Sequence, residues 1–213
     1  LRPYFPRGGI AFQEIQFDIG TDSKIDKYES MVGKFVSCLT AERRWTRIVF
    51  GISNHTDNNN GDPFIGYPAR KKTYFLDVIL TPWQSLIGLT AESYLWMLSC
   101  GSLINNAESF SYLQLSVLRH HISATVCFNA VRFQPATAAH LLLAFTELVL
   151  VERLPIRTAF PDMLGQSCKL GRHSGVYLIL RKDATSLEIT KFLWTHSSLR
   201  PWGQYLPVQC PQC

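Results

Sequence analysis

Arg47-Ile-Val-Phe-Gly-Ile-Ser53, running straight into Asn54-His55-Thr56-Asp57, and Tyr94-Leu-Trp-Met-Leu-Ser99, running into Cys100-Gly101, decide the fold. Each is a short apolar run closed by polar or turn-forming residues, the pattern of a strand buried on both faces of a mostly parallel sheet. In an open sheet of that kind the carboxyl ends of the strands face the functional crevice. A histidine and a cysteine placed just past two such ends can therefore meet. Brought together, they make a thiolate nucleophile and its base.

Working outward, strands and helices alternate. Residues 12–19 alternate well enough for a strand. Asp22 or Ser23 then caps a helix whose apolar positions Ile25, Tyr28, Met31, Val32, Phe35, Val36 and Leu39 follow the 3.6-residue period. Three asparagines, Gly61-Asp62-Pro63 and Gly66-Tyr67-Pro68 mark a long polar loop after His55. Residues 73–80 read as a strand, and Thr81-Pro82 opens a helix to about Ala91 with Thr81 as N-cap. A helix through Phe110, Leu113, Val117 and Leu118 leads to a buried strand over 124–131. An apolar helix from Pro135 to Val151, a second over 156–170 and a last strand over 175–180 complete the series. The fold class expected is α/β, a mostly parallel sheet flanked by helices.

With 213 residues, 46% of them hydrophobic, the chain is large enough for one sizeable core and is not a disordered segment. Residues 1–11, rich in Pro, Gly and Arg, read as a linker or the end of an upstream element, residues 12–198 as the domain, and 199–213 as a tail. Leu1 is not a start methionine, so the chain reads as part of a longer protein whose other domains are expected partners. The apolar segments are too short to span a bilayer, and no signal peptide is visible. Six cysteines at positions 38, 100, 127, 168, 210 and 213 read as reduced thiols, which favours an intracellular, cytoplasmic setting with the nucleus also open. The net charge of +5 comes from short clusters, Arg43-Arg44 and Arg70-Lys71-Lys72, and this dispersal weighs against nucleic acid as a partner.

Cys100 follows a strand and precedes Gly101-Ser102 and a polar turn into a helix, a setting in which a thiol can be activated. Its own N–H can point toward the oxygen of a tetrahedral intermediate. Taken alone, Cys100 reads more readily as a small core residue, and His55 as an ordinary loop histidine. Cys168 and His173 form a rival pair around Gly171, with no preceding strand to present the thiol. His120 and His121 read as helix C-terminal residues favoured by the dipole, and His140 as a core or boundary residue. Cys210-Pro-Gln-Cys213 has the spacing of half a zinc ribbon and His196 is a possible third ligand, but no fourth is evident and no metal or other cofactor is expected.

Taken together, Ile48-Val-Phe-Gly-Ile-Ser-Asn-His55-Thr-Asp57 with Gly61-Asp-Pro63, followed by Leu95-Trp-Met-Leu-Ser-Cys100-Gly101, resemble the histidine and cysteine motifs of caspase-like (clan CD) cysteine peptidases. Among these they are most similar to CHAT domains, which place His-Gly after one strand and Ser-Ala-Cys or a similar triplet after the next. The likeness continues as a pattern through Ile122-Ser-Ala-Thr-Val126 and the Ala- and Leu-rich helix, over residues 12–182. The resemblance implies a caspase-like α/β/α sandwich that hydrolyses peptide bonds, with Cys100 as nucleophile and His55 as general base. It implies an oxyanion site made by the backbone N–H groups of Thr56 and Cys100. It also places residues 129–133 in the wall of the first side-chain pocket, where Arg132 would favour an acidic substrate residue; Asp57 would favour a basic one.

The chain departs from the family at Thr56, where glycine is usual, and lacks the later glycine of Cys-x-Gly. A catalytically degenerate module that keeps the fold for protein interaction is thus the alternative. A nucleic-acid-associated domain with a zinc ribbon is a third, weaker reading.

Overall fold

Four of the six expected strands form where their apolar runs lie, and they build one five-stranded sheet with a strand the sequence reading did not include. The computed structural model describes residues 4–6, 8–42, 45–57, 61, 63–64, 75–198, 200 and 203. The strands are β1 (Arg47–Asn54), β2 (Glu92–Ser99), β3 (Ala124–Phe128), β4 (Val176–Arg181) and β5 (Leu187–Phe192), in the order β1-β2-β3-β4-β5. β1, β2 and β3 run parallel; β4 is antiparallel to β3, and β5 to β4.

Period-two alternation divides the side chains of the sheet between two helical layers. On one face Leu95, Met97, Cys127 and Ile179 meet α1 (Asp22–Glu42), α2 (Phe75–Leu80), α3 (Gln84–Ile87) and α5 (Ala107–Arg119) through Val32, Val36, Ile79, Leu80, Leu113 and Val117. On the other, Tyr94, Trp96, Val126, Phe128 and Leu178 meet α6 (Ala139–Ala144), the π-helical turn Phe145–Val151, α7 (Ile156–Gly165) and α8 (Cys168–His173) through Leu141, Phe145, Phe160 and Leu170. Both parallel crossovers lie on the first face because the sheet grows in one direction from β1 to β3. The result is an α/β sandwich. No helix of the described residues is long and apolar enough to cross a membrane.

Where expectation and structure differ, packing or a local bond decides. Residues 14–19 do alternate in burial, with Ile15, Phe17 and Ile19 inward, but they pair with no strand. Phe17 instead sets its ring 5.6 Å from that of Phe75, a contact that needs one apolar face and no ladder. The described part of 73–80 is the helix α2, whose Phe75, Leu76, Ile79 and Leu80 bury one stripe. Thr81 does not cap a helix: its hydroxyl donates to the Asp77 carbonyl (2.5 Å), and Thr81–Trp83 is a 3-10 turn leading to α3, which ends at Ile87. The expected helix over 156–170 is broken into α7 and α8 around Ser167. β3 stops at Phe128, short of Val131.

β4 is not the last strand. Asp183 turns the chain by accepting the N–H groups of Thr185 (2.8 Å) and Ser186 (2.9 Å), and β5 returns as the sheet edge. The Ser186 hydroxyl first, then the Thr185 N–H and hydroxyl and the Ser186 N–H, hold the Asp183 carboxyl down at about 2. A depressed carboxylate stabilises the fold above its unfolded value near 4 and loses that contribution as pH falls through the folded value. The hairpin is therefore expected to loosen between about pH 4 and pH 2. Protection of the Thr185 and Ser186 amides against exchange, relative to the intrinsic rate at each pH, should fall across that window, and Asp183→Asn should flatten the response.

The tail from Leu199 lies almost wholly outside the described residues, as do Cys210, Cys213 and the basic cluster at 70–72.

Candidate active site

β1 and β2 pair in parallel register with Asn54 opposite Ser99, so His55 and Cys100 are the next residues on neighbouring strands. Alternation carries both to the same face. Ile48, Phe50 and Ile52 of β1 and Leu95 and Met97 of β2 point to the first helical layer, whereas Tyr94, Trp96, Leu98 and Cys100 belong to the second. His55 is exposed and Cys100 half-buried against that second layer. No hydrogen bond joins the imidazole to the thiol among the described residues. Catalytic hydrogen bonds of unliganded enzymes are often long and tighten only with substrate.

The loop that carries His55 is held at both limbs. The Asn54 side chain accepts the His55 N–H (2.8 Å) and donates to the Phe64 carbonyl (2.6 Å), and the Phe64 N–H donates back to the His55 carbonyl (2.8 Å). Thr56 bridges to Pro63, and its hydroxyl donates to the Cys100 carbonyl (3.4 Å), the contact that ties the two motifs together. The Thr56 N–H donates to no protein acceptor among the described residues. The Gly61 N–H closes the turn on the Asp57 carbonyl (2.9 Å). Gly61 has a φ of 76°, and a Cβ there would lie 2.3 Å from the Ser102 carbonyl oxygen, so only glycine lets the loop rest on the Cys100 turn.

Behind Cys100, Gly101 touches the end of β3. Its N–H donates to the Ala130 carbonyl (2.7 Å), and α4 (Ser102–Asn105) starts immediately after it. Asn129 and Ala130 are themselves fixed: the Ser174 hydroxyl accepts both of their N–H groups at 3.1 Å, the Asn129 side chain accepts the Gly175 N–H (2.7 Å), and Asn105 donates to the Asn129 carbonyl (3.1 Å). The sequence reading did not find this platform. Its members lie 24 to 46 residues apart along the chain, and no local pattern announces them.

The cysteines separate clearly by environment. Cys127 is fully buried in β3 and burial pushes its thiol well up, the setting of an inert core residue. Cys38 and Cys168 are exposed on helices. Cys100 alone among the described cysteines stands at the carboxyl end of a parallel strand, partly open to solvent. The rival pair does not form: Cys168 Sγ points to the Gly165 carbonyl (3.8 Å), while His173 Nε2 accepts the Gln134 N–H (3.3 Å).

Arg132 lies exposed in the turn after β3, at the same end of the sheet as Cys100, and Asp57 lies exposed in the His55 loop. His140 is exposed rather than core. His120, expected only as a helix end, is 3% exposed and sets its ring between Asp77 (2.9 Å) and Gln84 (3.0 Å), tying α5 to α2 and α3 far along the chain from the dyad. Among the described residues no group of three or more His, Cys, Asp or Glu side chains could hold a metal ion.

Compared with models of known protein families, with curated proteins and with solved structures, the chain matches none.

Proposed function

We propose that the chain is a cysteine peptidase domain of the caspase-like, CHAT-related kind, acting through a dyad of His55 and Cys100. One observation supports this reading: β1 and β2 are parallel with Asn54 opposite Ser99, and His55 and Cys100 are the residues that follow at their carboxyl ends. In the proposed reaction His55 takes the thiol proton and the Cys100 sulfur attacks the substrate carbonyl carbon. The oxygen gains negative charge and is held by the backbone N–H groups of Thr56 and Cys100. As the C–N bond breaks, His55 returns the proton to the leaving amine. Water, deprotonated by His55, then hydrolyses the thioester. The substrate is a peptide or protein, and Arg132 is the residue proposed to select an acidic side chain before the cleaved bond.

A second reading is favoured by a specific contact. The Thr56 hydroxyl sits on the Cys100 carbonyl, and the imidazole makes no bond to the thiol, as in a module that keeps the fold for interaction and not for catalysis. A fluorogenic peptide library separates the two. Cleavage that Cys100→Ala abolishes supports the peptidase, and Arg132→Ala should then raise KM for acidic substrates by about tenfold with little change in kcat. Absence of cleavage by the wild-type protein, with no thiol activation, favours the module.

A further inference from the structure

Among the described residues, β1 has one edge paired with a strand and one edge that is not. β2 occupies the first; toward the other, no backbone hydrogen bond reaches residues 47–53 from any described residue. The segment before α1 runs beside that bare edge without joining it. Residues 14–19 alternate in burial like a strand, yet no N–H of residues 9–19 donates to a backbone carbonyl among the described residues. Residues of the segment and of β1 line a common cleft of about 220 Å³, among them Gln13, Phe17, Phe50 and Gly51, together with Phe35 and Trp83. Backbone groups that no described residue pairs thus border a cleft with apolar lining, and an unpaired sheet edge is a place where a strand can add.

The same segment carries apolar surface with nothing over it. Phe12 is 87% exposed and Ile10 is 37% exposed. The matching bare area is on β1: Val49 is 42% exposed, and a Cβ at Gly51 would meet nothing within 4 Å.

We propose that the cleft seats the amino-terminal arm of a second copy of this chain, exchanged reciprocally about a two-fold axis near Gln13. Residues 9–13 of one copy add a strand between β1 and residues 13–17 of the other. The symmetry selects the faces. Antiparallel pairing about a two-fold perpendicular to the sheet sets odd residues opposite odd residues. With Ile15 and Phe17 turned to the first helical layer, Phe12 and Ile10 of the incoming arm fall on the opposite face. That face holds exposed Val49 and the open space at Gly51, where an aromatic ring can cover a strand glycine. A buried phenylalanine contributes about 150–250 Å². With Ile10 and a strand covered along both edges, each copy approaches the roughly 800 Å² of a standard interface. The arrangement closes on itself, so it forms dimers and not fibres.

The test is independent of any peptidase activity. Light scattering coupled to size exclusion across the micromolar range should show a dimer. Phe12→Asp, at an exposed position that folding does not use, should weaken it by at least about tenfold. Phe12→benzoylphenylalanine, irradiated in an equal mixture of ¹⁵N-labelled and unlabelled protein, should give mixed-isotope crosslinks to residues 47–53. A protein that stays monomeric overturns the proposal. So does a dimer unaffected by Phe12→Asp, or one whose crosslinks join residues of the same copy only.

Discussion

Gly101→Ala is expected to cost at least about 3 kcal/mol and to displace the Cys100 turn, more than a typical overpacking substitution. The reason is room and not conformation. Gly101 has a φ of −68°, open to any residue. A Cβ there would lie 2.2 Å from both the carbonyl carbon and the oxygen of Asn129, and 2.7 Å from its Cα. The obstacle is backbone, and that backbone is bolted in place by Ser174, Gly175 and Asn105. No side chain can swing aside to relieve the clash. Gly165→Ala is the control: nothing lies within 4 Å of a Cβ at that position in α7, and alanine favours a helix by up to about 1 kcal/mol. Urea denaturation measures both, and Cys100 labelling reports the turn. Wild-type stability and wild-type labelling in Gly101→Ala would show that the strand-end turn is not built as described.

Phe145→Ala is the second large effect, with an expected loss of about 3–5 kcal/mol. The ring is buried at the start of the π-helical turn and meets Tyr94 and Trp96 edge-on, each at 5.1 Å between centroids. Both partners sit on β2, the strand that presents Cys100. Truncation leaves a cavity under the centre of the sheet, beside a Trp96 Nε1 that has no hydrogen-bond partner among the described residues. A domain holds about 5–15 kcal/mol in total, so the variant should unfold at a much lower urea concentration with an unchanged slope. A shift of less than about 1 kcal/mol would mean that the second layer closes over the gap.

β2 and β3 were legible because strands buried on both sides read as unbroken apolar runs. β1 was legible because its apolar run is bounded by polar and turn-forming residues, although only one of its faces is covered, with Val49, Gly51 and Ser53 exposed on the other. The register of β1 and β2 makes His55 and Cys100 the next residues after Asn54 and Ser99. β5 escaped because it is an edge strand whose Leu187, Glu188, Ile189 and Thr190 are only partly covered; its one clear signal was the Asp183 turn before an alternating segment. α2 was read as a strand because Phe75, Val78 and Ile79 have strand propensity. Packing of Phe75, Leu76, Ile79 and Leu80 on one stripe overrode it. Residues 12–19 show the converse: alternation records that one face is buried and says nothing of whether an edge is paired. At the site, the two motif residues were local signals, while the Asn129–Ser174 platform exists only through long-range contacts.

The most direct measurement is the rate of Cys100 alkylation by iodoacetamide against pH, in wild type and in His55→Ala, with mass spectrometry identifying the labelled cysteine. A His55-activated thiolate labels rapidly near neutral pH, ahead of exposed Cys38 and Cys168, and loses that advantage in the variant. Slow labelling of Cys100, unchanged by His55→Ala, would contradict the dyad.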